Sequence, residues 1–196
     1  QYLTALYQLA KAAVEKEDYA EAKELLLRAV GEYPHNLGEG KLESGQENNL
    51  YYLLGLVQEK LGEAKDAFES LTRACCGESE PVGMMYYNDQ PPEMIYYQGL
   101  AYRMLGEEEQ AVRRFQKLVD YGREHIRDDV KIDYFAVSLP DLLIFEENLN
   151  ERNRKHCLFM MSLGLKGLGR IDEAEKCAEE LLAMDNAHQE IRVHDL

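Results

Sequence analysis

The phrase leucine–glycine followed by a charged residue occurs three times in this chain, as Leu61-Gly62-Glu63, Leu105-Gly106-Glu107 and Leu168-Gly169-Arg170. Each copy joins two stretches of helical pattern. An alanine follows five positions after each glycine: Ala67, Ala111 and Ala174. A degenerate copy, Lys16-Glu17-Asp18 with Ala22, stands at the front. Recurrence of this kind restricts the chain to helical hairpins stacked in a row, each hairpin burying its apolar face against the next. Such a stack offers an extended surface for holding another molecule rather than a pocket for chemistry.

The large and small residues around these turns recur together. The first unit places Leu6, Leu9, Ala10 and Ala13 on one helix and Ala22, Leu26 and Ala29 on the next, and Pro34 closes it. The second gives Tyr51, Leu54 and Gly55, then Ala67, Leu71 and Ala74; the third Ile95, Gly99 and Tyr102, then Ala111, Phe115 and Leu118. The fourth gives Leu158, Met161, Ser162 and Leu165, then Ala174, Ala178 and Leu181. Small residues at Ala10, Gly55, Gly99 and Ser162 let paired helices approach, and the large ones fill the space that remains.

This set of residues resembles the tetratricopeptide repeat (TPR) family. The resemblance implies an all-α fold, a right-handed α-α superhelix of four hairpins within a single domain spanning residues 1–196. The repeats fall near residues 2–34, 48–77, 92–122 and 155–186, with an extra helical insertion near 123–150. An uninterrupted array steps by about 34 residues. Here Ala10, Gly55, Gly99 and Ser162 lie 45, 44 and 63 residues apart, so every junction carries an insertion.

The insertions differ in character. Residues 35–47 are polar and carry Gly38, Gly40 and Gly45, as a surface loop does. Residues 77–90 contain the apolar cluster Met84-Met85-Tyr86-Tyr87, which either folds back over the hairpins, the expected arrangement, or stands as an exposed apolar patch. Pro91 and Pro92 then open the next helix. In the third insertion Val130–Val137 alternates weakly. Ser138 and Asp141 form a capping box ahead of a short apolar helix at Leu142–Phe145, and a longer helix runs from about Asn150 to Leu168.

Composition narrows the function. The 22 basic and 37 acidic residues leave a net charge of -15, which repels phosphate backbones and anionic membrane surfaces. No apolar run approaches the ~20 residues that cross a bilayer. The four cysteines, Cys75, Cys76, Cys157 and Cys177, have neither zinc nor disulfide spacing and read as reduced thiols in a cytoplasmic setting. No phosphate loop, nucleotide fingerprint or nucleophile elbow is present, so no cofactor is expected. His156 and Cys157 are consecutive on a helix and do not share a face, which argues against a catalytic pair. His125, His188 and His194 are scattered, and no metal site is assigned to them. Catalytic residues are therefore not expected.

In the TPR family the concave groove is lined by set positions of each first helix. The position after the leading large residue holds Tyr7, Tyr52, Tyr96 and Phe159, an aromatic in every unit. Four residues on come Lys11, Leu56, Leu100 and Leu163, and then Glu59, Arg103 and Lys166. From these the partner-binding set is Tyr7, Lys11, Tyr52, Leu56, Glu59, Tyr96, Leu100, Arg103, Phe159 and Lys166. Tyrosine offers a large rigid contact with a polar tip, suited to partner recognition. The alternative is that the insertions, Tyr134–Leu143 above all, fill the groove from within. A chaperone-tail clamp is disfavoured, because Tyr7, Glu93 and Tyr97 stand where that clamp requires lysine or arginine.

Two functions follow. One is a non-catalytic scaffold that binds a protein, a peptide or a neighbouring domain of the same polypeptide through the aromatic groove. The other is an accessory or homodimerising domain of a larger bacterial enzyme acting on carbohydrate. The second draws on a resemblance to the C-terminal TPR region of large uncharacterised bacterial proteins, and on a chain that opens at Gln1 without methionine. That this segment is itself an enzyme ranks last.

Overall fold

A computed structural model describes residues 2–31, 45–84, 91–130 and 148–194. Among these the regular elements are all helices: α1 (Tyr2–Glu15), α2 (Tyr19–Val30), α3 (Asn48–Lys60), α4 (Ala64–Ala74), α5 (Met94–Met104), α6 (Glu108–His125), α7 (Leu149–Gly167), α8 (Ile171–Met184) and α9 (Gln189–Val193). The capping box at Ser138, the helix at Leu142–Phe145, the segment Tyr134–Leu143 and most of the first insertion lie outside the described residues.

Four hairpins, α1/α2, α3/α4, α5/α6 and α7/α8, close on the same turn. Gly62, Gly106 and Gly169 have φ of 79°, 81° and 74°. At each, the glycine N–H and the next N–H reach back to the helix end: Gly62 to the Glu59 carbonyl and Glu63 to that of Gln58, with the equivalent pairs at the other two. This is the Schellman closure, which needs a left-handed residue and therefore favours glycine. The front turn makes the same two bonds, Glu17 to Val14 and Asp18 to Ala13, with Glu17 itself at φ 60°.

The described residues divide into two compact units, one within Gln1–Glu80 and Tyr86–Phe115, the other within Pro81–Met85 and Gln116–Leu196. In the first, α1 pairs with α2, α3 with α4, and α2 stacks on α3. α4 shows the amphipathic logic: Ala67, Ser70, Leu71 and Ala74 are its buried residues, spaced as one helix face. A Cβ on Gly55 would lie 2.7 Å from Leu71 Cγ, and one on Gly99 would lie 2.4 Å from Phe115 Cε1. The close approach at Gly99 is thus filled by Phe115, one turn beyond the alanine expected opposite it. The carbonyls at the end of α4 are met by side chains. Asn48 Nδ2 donates to Ala74 and Cys76, and Gln98 Nε2 donates to Cys76 and Glu78. Lys23 bridges α2 to the α3/α4 turn through Glu63 at 2.6 Å.

In the second unit α7 pairs with α8. A Cβ at Gly122 of α6 would meet Met161 Cγ at 2.4 Å and the Cys157 carbonyl at 2.7 Å, so glycine is what lets α6 and α7 touch. Asn148 caps α7 by accepting from the Asn150 and Glu151 N–H groups, and Asn153 ties α7 to the His125 carbonyl. Met84 is buried.

Candidate interaction face on the first helices

In the first unit the in-phase aromatics do meet, through a residue outside the expected set. Tyr97 stands at the centre. Its hydroxyl accepts a 3.0 Å hydrogen bond from the Tyr7 hydroxyl, and its ring lies 5.9 Å from that of Tyr52 and 5.4 Å from that of Tyr96. Tyr96 continues to Phe115 at 5.7 Å. Edge and tilted arrangements of this kind suit ring quadrupoles and lock the cluster. Tyr7, Tyr96 and Tyr97 are buried, while Tyr52 is half-buried.

Around the rings the polar groups are organised. The Lys11 ammonium sits 5.7 Å above the Tyr7 ring, and the Arg103 guanidinium 4.9 Å above Phe115. Arg103 also grips Glu108, with Nη2 to Oε1 at 2.7 Å and Nε to Oε2 at 2.9 Å. Burial raises the Tyr52 hydroxyl above its ordinary pKa, against the lowering effect of Arg103. Tyr52 therefore stays a neutral donor. Leu56 and Leu100 are half-buried, and Glu59 is exposed. Tyr52, Leu56 and Leu100 thus keep part of their surface exposed, whereas Tyr7, Tyr96 and Tyr97 do not.

Phe159 and Lys166 belong to the second unit. Phe159 is buried, with the rings of His188 and His194 5.6 Å and 6.0 Å from its own. Those histidines flank α9, a helix the repeat pattern passed over. The signal for it was register. Ile191 lies 34 residues after Cys157 with no insertion between, and Ile191 is buried as Cys157 is. α9 thus begins a further first helix. The place of the leading large residue is taken by Arg192, which hid it. Phe159 against His194 repeats the geometry of Tyr52 against Tyr97: in each case the aromatic of one first helix meets the following first helix.

Neither His156 nor Cys157 is disposed for nucleophilic chemistry. Burial pushes the Cys157 thiol up to about 12, away from the thiolate that a nucleophile requires. His156 donates through Nε2 to the Val82 carbonyl at 2.9 Å, and burial lowers its pKa. Cys75 is likewise pushed up to about 12, first by burial and then by Cys76 and Glu107.

Comparison with known proteins decides the family. Residues 7–81 match a family model described as tetratricopeptide repeat, and residues 93–121 match a second model of the same description. The chain is a tetratricopeptide repeat protein. It is also similar to two crystal structures of MamA, at 19% identity and a TM-score of 0.34 in each case. The match covers 96% of this chain and 81% and 75% of theirs. TPR arrays are interaction scaffolds that hold partners on their stacked helices. Among the described residues, no helix is long and apolar enough to cross a membrane.

Proposed function

We propose that this TPR chain is a non-catalytic scaffold that holds a peptide segment of a partner protein on the first-helix face of its N-terminal unit. The observation that carries the reading is the division of labour within the aromatic cluster. Tyr7, Tyr96 and Tyr97 are buried and make the base, whereas Tyr52, Leu56 and Leu100 remain half-exposed above it. A rigid aromatic floor reduces the entropy lost on binding, and a half-exposed tyrosine with apolar neighbours has the make-up of an interface hot spot. Arg103 and Glu59 at the rim supply orientation more than affinity. Phe159 contributes differently, as a position the chain covers with α9.

The test is affinity capture with the wild-type chain and with a Tyr52→Ala, Leu100→Ala double variant. Both positions are half-exposed, so helicity by circular dichroism is expected to be unchanged. Binding of proteins retained by the wild type should weaken about tenfold or more, as loss of a hot-spot residue implies. Retention of the same proteins at the same strength by the variant would reject this face as the binding site.

A further inference from the structure

The first helices of successive hairpins are covered in a regular way. In α3 the residues Leu50, Leu54 and Val57 are buried; in α5 Met94, Gln98 and Ala101; in α7 Cys157, Met161 and Gly164. Each trio is the same repeat register, spaced i, i+4, i+7, and so forms one helix face. The helix that covers it is the second helix of the hairpin immediately before. α2 packs on α3. Ala101 of α5 clusters with Leu71 and Ala74 of α4, and the Gln98 amide donates to carbonyls that follow α4. Gly122 of α6 lies against Met161 and the Cys157 carbonyl of α7.

In α1 the same three positions are Ala5, Leu9 and Ala12. Ala5 is exposed, Ala12 is half-buried, and Leu9 is 56% exposed. Leu9 is not one of the chain's ordinary exposed leucines. Leu27, 47% exposed on α2, occupies a register held by exposed Thr72 in α4, half-buried Gln116 in α6 and exposed Glu179 in α8, a position buried in none of the hairpins. The register of Leu9 is buried in α3, α5 and α7.

We propose that the Ala5–Leu9–Ala12 face of α1 is a docking surface for the second helix of a further hairpin of the same repeat type, supplied by the same polypeptide ahead of α1. The occupant follows from continuity with the three interfaces already described, in each of which the covering helix is the one next before it in the chain. The shape fits too. Alanines on either side of one leucine leave room for a helix to approach closely, as Gly122 and Met161 do between α6 and α7.

The test places a photo-cross-linking residue at position 9, and separately at position 27, in the polypeptide as the native cell makes it. The expected result is an intramolecular cross-link from position 9 to sequence ahead of Gln1, and none from position 27. A cross-link from position 9 to a second copy or to a different protein would overturn the assignment, as would no cross-link at all. Leu9→Asp gives an independent readout. It should lower the melting temperature of the native polypeptide by about 4 °C or more, and that of the 196-residue chain alone by less than about 1 °C. Equal shifts in the two would also overturn it.

Discussion

Glu17 is the residue at which the repeat pattern meets its own physical requirement least well. The turns at Gly62, Gly106 and Gly169 hold φ near +80°, and a Cβ there would meet nothing within 4 Å. Glycine is needed at these positions for backbone conformation, not for space. Glu17 adopts φ 60° and makes the same pair of hydrogen bonds, so it carries the left-handed cost of a residue with a Cβ. Glu17→Gly is therefore expected to stabilise the chain by about 0.5–1 kcal/mol, while Gly62→Ala should destabilise it by about 1 kcal/mol. Urea denaturation of both variants measures this. A loss of stability in Glu17→Gly would mean that contacts of the glutamate side chain outweigh the backbone term.

At the scale of elements, α7 and the N-cap of α9 each hold a histidine whose neutral form burial favours. His156, on the inner side of α7, donates to the Val82 carbonyl, and His188 accepts at Nδ1 from the Ile191 N–H at 3.4 Å, a bond that needs an unprotonated nitrogen. Burial is the largest influence and lowers the pKa of both from 6.5; at His156 the Val82 hydrogen bond acts against it and Arg152 acts with it, while Asp185 and Glu190 act against the shift at His188. A lowered folded-state pKa means that the unfolded chain takes up protons first as pH falls. The stabilisation is thus complete above about 6.5 and is lost on acidification through the folded-state values. The melting temperature should fall between about pH 7 and pH 5.5. His156→Gln, which keeps a donor for Val82 but does not titrate, should reduce that fall. An unchanged fall would remove His156 from the account.

The same elements show what the sequence could and could not reveal. The hairpin turns were legible because a positive φ demands glycine, and the tight crossings at Gly55 and Gly99 were legible because small residues recur in that register. That Tyr7, Tyr52 and Tyr96 share a phase along their helices was legible for the same periodic reason. Their burial was not, since it is set by Tyr97 and Phe115, residues that no single-helix pattern marks as ring partners. Gly122 gave no signal of its own, because the α6–α7 contact it permits joins segments separated by the longest insertion. α9 was missed because a short helix with Arg192 at its leading position gives almost no periodic signal.

For the molecule as a whole, stacked hairpins imply that stability is assembled from local terms. Each hairpin contacts its neighbours in sequence, so a lesion in one should be felt there and in the next, and fade beyond. Gly55 is a suitable place to apply one. An alanine Cβ would come 2.7 Å and 2.9 Å from Leu71 Cγ and Cδ2 and 3.3 Å from the Ala67 carbonyl. The leucine side chain can give a little, but Leu71 is already 5% exposed in a packed cluster with Ala74 and Ala101. Gly55→Ala is expected to cost about 1–3 kcal/mol by overpacking. Native-state hydrogen exchange should show the loss as faster opening of α3 and α4, a smaller effect in α2 and α5, and none in α7 and α8. Equal acceleration in α7 and α8 would show that the repeats open as one cooperative body, in which case the nearest-neighbour description of this chain is wrong.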